Sequence, residues 1–253
     1  NTYPNDNNIQ TIVIDDKSDD VHIKYIKELR KKYDFEFYHN DRIKSAGTCR
    51  NIGLEKAKGI WVLFADADDY FTDTFYSSIS KYLDTTLDVI FFRPTSVYID
   101  TGKIADRHLS FNNILDNYQN QNTNAELFLR YSLPNPVCKL INKDFITSNN
   151  LKFDEVIASN DVMFSLKVGH FMHRFSISLN TIYIVTRNNR SLTSRFSKNI
   201  FDSRTKVFIS KFHYLKEHLT EVDFRNLGVT GLGYLLSTSR YSLLCAFKTF
   251  FLF

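Results

Sequence analysis

The chain has 253 residues, of which 43% are hydrophobic and 15% aromatic, and it contains only 8 Gly and 4 Pro. This composition excludes a disordered or fibrous chain, because those classes have few aromatic residues or a high content of Gly and Pro. The net charge of +4 is too small to indicate a nucleic-acid-binding surface.

The cysteines and the first residues carry information about the compartment. Cys49, Cys138 and Cys245 are widely spaced and lack the pairing of metal ligands, so we expect free thiols in a reducing compartment. The opening residues are polar, unlike a signal peptide, and no uncharged apolar run reaches the roughly 20 residues of a membrane span. We therefore expect a cytoplasmic protein, either free or at the inner face of the cell membrane.

The first hundred residues alternate between strand and helix patterns. Short apolar runs predict strands at 12–14, 35–38, 61–65 and 89–92. Apolar residues at helical spacing predict helices around 23–29, 52–57 and 75–83. Gly59 is expected to end the second helix in the left-handed conformation. This alternation predicts an open α/β sheet, which binds ligands at the carboxyl ends of its strands.

The rest of the chain is predicted to be mainly helical. A hairpin is expected at 95–98 with a turn at 101–102, and Thr123 with Glu126 matches a capping box. Ser159-Asn160 is expected to cap a further helix, and residues 208–219 form an amphipathic one. We expect one α/β domain at residues 1–200 and a helical extension at residues 201–253.

Acidic residues follow two predicted strands. Asp66-Ala67-Asp68-Asp69 comes directly after the apolar run at 61–65, and Asp15-Asp16 follows the first strand. Carboxylates at alternate positions converge on one point, and their oxygens suit Mg²⁺ or Mn²⁺. Because Mg²⁺ sites usually combine one or two carboxylates with substrate phosphates, the first pattern indicates a diphosphate-binding site. An acidic surface turn is the alternative interpretation of each pattern.

Several segments, taken together, resemble the family-2 glycosyltransferases. They are the acidic turn at 12–20, a segment at 46–59 similar to the family's Ala-Arg-Asn-x-Gly helix, the Asp-x-Asp-Asp motif, and stretches at 136–140, 151–154 and 159–164. The resemblance covers about residues 1–196. It implies a GT-A type fold, which is a Rossmann-like open mixed sheet with helices on both faces, and a helical C-terminal tail. Within the domain, the nucleotide-sugar half is expected at 1–100 and the acceptor half at 101–200.

The resemblance also implies roles for individual residues. The implied nucleotide-sugar-binding residues are Asp15, Asp16, Arg50, Asp66, Ala67, Asp68 and Arg190. Asp68 would be the main ligand of a Mn²⁺ or Mg²⁺ cofactor, together with Asp66, and Asp69 would lie beside it. The loop expected to touch the diphosphate or acceptor contains Arg187, Asn189, Arg190 and Ser191. Asp161 falls at the position of the catalytic base, and Lys139 and Asn160 fall on the acceptor side.

Two features depart from the family pattern. The family's first strand, its nucleotide loop and the following helix are not found before Asn1, which implies either a fragment or a fold without that strand. The usual Glu-Asp pair is replaced by Asn160-Asp161, and the loss of a like charge is expected to lower the pKa of Asp161. Its place at a helix start is expected to keep it ionised.

The resemblance thus implies an inverting glycosyltransferase that moves a sugar, expected to come from a UDP-sugar, to a polysaccharide or lipid-linked saccharide in bacterial surface-polysaccharide or capsule synthesis. Two alternatives stay open: a phosphatase of the haloacid dehalogenase type, and a non-catalytic sugar-nucleotide-binding module. The phosphatase is disfavoured by Asp69-Tyr70, where Thr or Val is expected.

The last thirty residues are basic and apolar. The segment 224–253 contains Arg225, Arg240 and Lys248, is rich in Leu, Phe and Tyr, and lacks acidic residues. Such a segment suits the surface of an anionic membrane, and an ordinary helix packed on the domain is the alternative.

Overall fold

The computed structural model describes residues 8–187 and 197–239. The strands are β1 (Ile12–Asp15), β2 (Glu36–His39), β3 (Trp61–Val62), β4 (Tyr70–Phe71), β5 (Val89–Tyr98), β6 (Lys139–Asn142) and β7 (Phe175–Arg187). The helices are α1 (Asp20–Lys32), α2 (Ala46–Lys56), α3 (Phe75–Ile79), α4 (Leu109–Gln119), α5 (Ala125–Tyr131), α6 (Lys143–Ser148), α7 (Val162–Phe171), α8 (Lys198–His218), α9 (Glu221–Asn226) and α10 (Gly231–Ser239).

The strands form two sheets. β1 and β2 pair in parallel and are connected by α1, which begins after the Asp19 cap. The other five strands form a mixed sheet in the order β3-β6-β5-β7-β4, in which β5 and β7 run parallel and the other pairs are antiparallel. The predicted α/β class, with a mixed sheet and a helical C-terminal part, is confirmed.

The centre of the core lies on β5. Its first four residues, Val89 to Phe92, are at most 1% exposed, because helices and neighbouring strands cover them on both faces. A second apolar cluster joins α5, α7 and α8 through Tyr131, Leu166 and Leu215. Helix α8 is therefore packed on α5 and α7 of the domain.

Two strand predictions were wrong in extent. β3 ends at Val62 rather than at residue 65, because the next residues leave the ladder to approach the acidic turn. β5 continues to Tyr98 rather than ending at residue 92, since β7 pairs with it along this length. The hairpin expected from residues 95–98 is present, because Val97 forms an antiparallel bridge with Ile104 and the Tyr98 amide donates to the Lys103 carbonyl oxygen at 2.9 Å. The chain does turn at 101–102, where the Gly102 amide donates to the Tyr98 carbonyl oxygen at 2.8 Å.

Three predictions about helix ends were also wrong. α2 ends at Lys56 with Ala57 extended, so Gly59 does not act as a left-handed cap. The residue preceding α5 is Asn124, which is itself left-handed and makes no capping bond with its side chain. The residue preceding α7 is Asp161, not Ser159 or Asn160.

Over residues 8–187 and 197–239, no helix is both long enough and apolar enough to cross a membrane.

Candidate active site

The Asp66-Ala67-Asp68-Asp69 motif forms a turn between β3 and β4. The Asp69 amide donates to the Asp66 carbonyl oxygen at 3.1 Å and closes the turn. Asp68 and Ala67 are exposed, whereas Asp66 and Asp69 are half-buried. The carboxylates of this motif therefore do not share one environment.

Residues of strand β7 form hydrogen bonds with this turn. The Tyr183 hydroxyl accepts from the Asp66 amide at 2.8 Å, and the Thr186 amide donates to Asp69 Oδ1 at 2.7 Å. The Thr186 hydroxyl donates to the Asp68 carbonyl oxygen at 2.9 Å. Burial raises the pKa of Asp69 to about 6, and the neighbouring Asp68 carboxylate adds to this effect. Asp69 is thus bound to β7, and Asp68 remains exposed.

Arg50 on α2 connects the turn to the segment that precedes α7. Its guanidinium donates to Asp66 Oδ1 at 2.6 Å and to Asn160 Oδ1 at 2.8 Å, and it lies 5.4 Å from the centre of the Phe153 ring. The approach of α2 to this segment depends on Gly47, because a Cβ there would lie 2.8 Å from the Asn160 Cβ. Three of the predicted site residues are therefore in contact.

Asp161 follows Asn160 and immediately precedes α7. Its side chain makes no capping hydrogen bond. Burial raises the pKa of Asp161, and the positive charge of Arg50 only partly offsets this effect. Loss of a like charge beside Asp161 favours its ionised form, but desolvation has the larger effect, so the pKa lies above the ordinary aspartate value.

Lys139 at the start of β6 is 1% exposed. Its ammonium group donates to the Leu133 carbonyl oxygen at 2.5 Å, and burial lowers its pKa to about 7. It is not a surface lysine, and its buried position does not support direct contact with an acceptor. The preceding residue, Cys138, is buried in the left-handed region with a φ of 63°, which costs about 1–3 kcal/mol of strain.

The second acidic pair lies at the end of β1. Asp15 is 6% exposed and accepts from the Ser18 amide at 3.2 Å. Burial alone would raise its pKa, but hydrogen bonds from Ser18 and His39 more than offset that effect, so the pKa is lowered. Asp16 accepts from Asn40 Nδ2 at 2.7 Å.

The two acidic sites are connected through consecutive residues of α2. The Cys49 thiol interacts with Asp16, and burial together with that carboxylate raises the pKa of Cys49 to about 12. The next residue, Arg50, binds Asp66. The helix begins at the Ser45 cap, whose side chain accepts from the Thr48 amide. Two consecutive residues of one helix therefore contact the two acidic sites.

Sequence reasoning missed four residues of this region. Asn40 and His39 follow β2 at the edge where Asp15-Asp16 follows β1, and this common edge could have identified them. Tyr183 and Thr186 lie within an apolar stretch more than a hundred residues after the turn, so no local pattern indicates them.

The predicted loop after β7 is only partly described. Arg187 pairs with Asp106 and lies 5.4 Å from the centre of the Tyr98 ring. Asn189, Arg190 and Ser191 lie outside the described residues.

The chemistry of these side chains fits a divalent cation. Across the described residues, no three His, Cys, Asp or Glu side chains are grouped to hold a metal ion. Asp66 and Asp68 offer two carboxylates, and Asp68 accepts no side-chain hydrogen bond from another described residue. Mg²⁺ is commonly bound by one or two protein carboxylates together with phosphate groups of the substrate.

Comparisons with known proteins point to one family. The model of glycosyl transferase family 2 matches residues 2–147, which is more than half of the chain. EpsH of Bacillus subtilis (strain 168) is 23% identical over 227 residues, which cover 86% of this chain and 64% of EpsH. The Escherichia coli protein WfaP, a UDP-Glc:alpha-D-GlcNAc-diphosphoundecaprenol beta-1,3-glucosyltransferase, is 32% identical over 93 residues, or 37% of this chain and 36% of WfaP.

Solved structures share the fold. Staphylococcus aureus TarS 1–349 in complex with UDP-GlcNAc matches with a TM-score of 0.62 at 18% identity, over 86% of this chain and 60% of TarS 1–349. The Pyrobaculum calidifontis mannosyltransferase PcManGT, in complex with GDP-Man and Mn²⁺, matches with a TM-score of 0.57 at 14% identity, over 95% of this chain and 64% of PcManGT. The chain spans less than two thirds of the length of each of these proteins. The fold is of the GT-A type, and the chain belongs to glycosyl transferase family 2.

Proposed function

We propose that this chain is an inverting glycosyltransferase that binds a UDP-sugar with Mn²⁺ or Mg²⁺ and transfers the sugar to a hydroxyl of a lipid-linked saccharide. The observation that carries the proposal is the Asp66–Asp69 turn, in which Asp66 is bound to Arg50 and the Asp68 carboxylate is exposed. The donor is suggested by the name of WfaP and by the UDP-GlcNAc complex of TarS.

The donor side of the site would stabilise the leaving diphosphate. Asp66 and Asp68 would hold the cation, which when bound offsets the negative charge that develops on the leaving oxygen. Arg50 would keep Asp66 oriented and would contribute positive charge close to the phosphates. Asp16, with its neighbours Asn40 and Cys49, would bind the base of the nucleotide.

The acceptor side of the site would remove a proton. The attacking hydroxyl must lose its proton during the transfer, and Asp161 would accept it as the general base. A carboxylate with a raised pKa is a stronger base than an exposed one, and burial raises the pKa of Asp161. Asn160, whose side-chain oxygen accepts from Arg50, would connect this side with the donor side.

The acceptor would reach the site at a membrane surface. The relative WfaP acts on a sugar linked to diphosphoundecaprenol. α10 exposes Leu232 at 67%, whereas Tyr234 packs on Phe208 with ring centres 4.0 Å apart. An exposed apolar side chain on this helix suits a bilayer surface. The protein should float with anionic liposomes at low salt, and a chain ending at residue 223 should not; failure of the full chain to float would contradict the membrane contact.

The metal-dependent part of the proposal is tested by binding. UDP should bind in the presence of Mn²⁺, as measured by titration calorimetry, and binding should weaken strongly with EDTA. Asp68→Ala should abolish the metal dependence because it removes the exposed carboxylate. Asp73→Ala removes another exposed aspartate four residues beyond the motif and is the matched control. Equal metal-dependent affinity in the wild type and Asp68→Ala would contradict the assignment of Asp68.

A further inference from the structure

The Asp66–Asp69 turn has little internal support. It lies between β3 and β4, which have two residues each, and one backbone hydrogen bond, from Asp69 to Asp66, closes it. A small divalent cation requires its carboxylate ligands at well-defined positions, since Mg²⁺ demands near-octahedral geometry. Structure outside the turn must therefore hold the ligands in place.

Strand β7 provides this support through three hydrogen bonds. Tyr183 binds the amide of Asp66, and Thr186 binds the carboxylate of Asp69 and the carbonyl oxygen of Asp68. β7 also pairs with β4, the strand that follows the turn, with Phe71 opposite Tyr183. Tyr183 is 0% exposed and Thr186 is 5% exposed, so water cannot easily replace either side chain.

The same contacts distinguish the three aspartates. Asp69 accepts a backbone hydrogen bond from β7 at 2.7 Å, so its carboxylate is used inside the protein. β7 holds Asp66 and Asp68 through their main chains, so it occupies neither carboxylate; the Asp68 carboxylate is exposed, and Asp66 Oδ1 accepts from Arg50. Asp69 therefore stabilises the turn by binding β7.

We propose that Tyr183 and Thr186 are positioning residues, which orient Asp66 and Asp68 for the cation through the main chain of the turn. Both residues would act through the turn and would not themselves touch the cation or the donor. This inference rests on the proposed function, because it assigns support to the metal ligands of that site. Groups that orient metal ligands typically change metal affinity by about tenfold to a hundredfold when they are removed.

The test measures metal binding without turnover. Mn²⁺ is titrated into the full chain in the presence of UDP, and free Mn²⁺ is followed by electron paramagnetic resonance. Tyr183→Phe removes the hydroxyl that accepts from Asp66, and Thr186→Val removes the hydroxyl that donates to Asp68. We expect the Mn²⁺ dissociation constant to rise by about tenfold in Tyr183→Phe and by about threefold to tenfold in Thr186→Val.

Two matched variants control for a general loss of buried hydroxyl groups. Tyr131 is 8% exposed and its hydroxyl contacts His170 Nδ1 at 3.0 Å; Thr205 is 4% exposed and its hydroxyl contacts Tyr234 at 2.9 Å. Tyr131→Phe removes the first hydroxyl from α5, and Thr205→Val removes the second from α8. Each control should lower the melting temperature about as much as its partner variant, and its Mn²⁺ dissociation constant should stay within about twofold of the wild-type value.

The outcomes separate this inference from the proposed function. A wild-type chain that binds no Mn²⁺ with UDP would contradict both. A wild-type chain that binds Mn²⁺, with Tyr183→Phe and Thr186→Val indistinguishable from their controls, would overturn the positioning role alone. Should Tyr183→Phe not fold, Thr186→Val decides, because it keeps the amide that donates to Asp69 and has nearly the same shape.

Discussion

The environment of Asp161 shows how burial and charge compete at a single residue. The carboxylate lies near Arg50 and Lys139, whose positive charges favour ionisation, and near Asp66, whose negative charge opposes it. Burial has the largest effect and raises the pKa of Asp161. Sequence reasoning could count the neighbouring charge lost when Glu becomes Asn160, but it could not estimate how strongly the folded chain desolvates Asp161.

The base role of Asp161 predicts a specific kinetic result. Asp161→Asn should bind UDP and metal as the wild type does, because the side chain makes no capping bond and Asn has nearly the same shape. The value of kcat should fall by about a hundredfold to ten-thousandfold, which is typical for loss of a general base.

The pH dependence gives a second readout for Asp161. The active form is the ionised carboxylate, so kcat/KM should fall as pH drops through its pKa, which burial raises above the ordinary aspartate value. This acid limb should be absent in Asp161→Asn. Donor affinity that collapses together with kcat would instead identify Asp161 as a binding or structural residue.

Because burial lowers the pKa of Lys139, we predict that the free energy of unfolding depends on pH. Its folded-state pKa is lowered from 10.5 to about 7, so between these values the unfolded chain binds more protons than the folded chain. The free energy of unfolding should therefore rise with pH across this window, by up to about 2 kcal/mol between pH 7 and 9. Urea unfolding of the wild type and Lys139→Met at both pH values measures this rise, which the variant should lack. An equal rise in both proteins would show that Lys139 is not responsible.

At the scale of elements, the position of α2 determines the geometry of the site. Its residues Cys49 and Arg50 reach the two acidic pairs, and Gly47 permits the close approach to the segment before α7. The helix was predicted from its apolar spacing and from the family motif. The contact between Arg50 and Asn160 joins residues 110 positions apart, so local pattern could not reveal it.

Two glycines of α2 provide a matched pair of variants. A Cβ at Gly47 would overlap the Asp154 carbonyl oxygen and the Asn160 side chain, whereas a Cβ at Gly53 would have nothing within 4 Å. Gly47→Ala should cost about 1–3 kcal/mol of stability and weaken UDP binding, because it pushes Arg50 away from Asn160. Gly53→Ala should stabilise the helix by about 0.5–1 kcal/mol and leave UDP binding unchanged. Denaturant unfolding and calorimetry measure both effects, and equal behaviour of the two variants would contradict the close packing of α2.

The lengths of β3 and β5 show that the sequence predicts which residues are buried better than it predicts which residues pair in a sheet. The apolar run at 61–65 correctly predicts a buried segment ahead of the acidic motif, but only Trp61 and Val62 pair in the sheet. Whether a buried residue joins a ladder depends on its neighbours in space, here β6, rather than on its own apolar character. The extension of β5 to Tyr98 has the same origin, because β7 is the partner that sustains it.

At the scale of the whole molecule, the α/β class and the family could be predicted from the order of motifs, and both are confirmed. Membership of glycosyl transferase family 2 disfavours the phosphatase alternative. The predicted roles of the site residues stay predictions, although Arg50, Asp66 and Asn160 are in contact in the structure. The support that β7 gives to the acidic turn could not be predicted, because it joins segments that are adjacent only in the folded chain.

The central claim is metal-dependent transfer of a sugar from a UDP-sugar, and UDP release tests it most directly. The full chain is incubated with UDP-glucose or UDP-N-acetylglucosamine and a polyprenyl-diphosphate-linked saccharide, with Mn²⁺ or with EDTA. We predict that UDP forms with at least one donor, that it requires the metal, and that Asp68→Ala and Asp161→Asn abolish most of it while Asp73→Ala does not. UDP binding without turnover of any donor, or release of inorganic phosphate from sugar phosphates, would contradict the account.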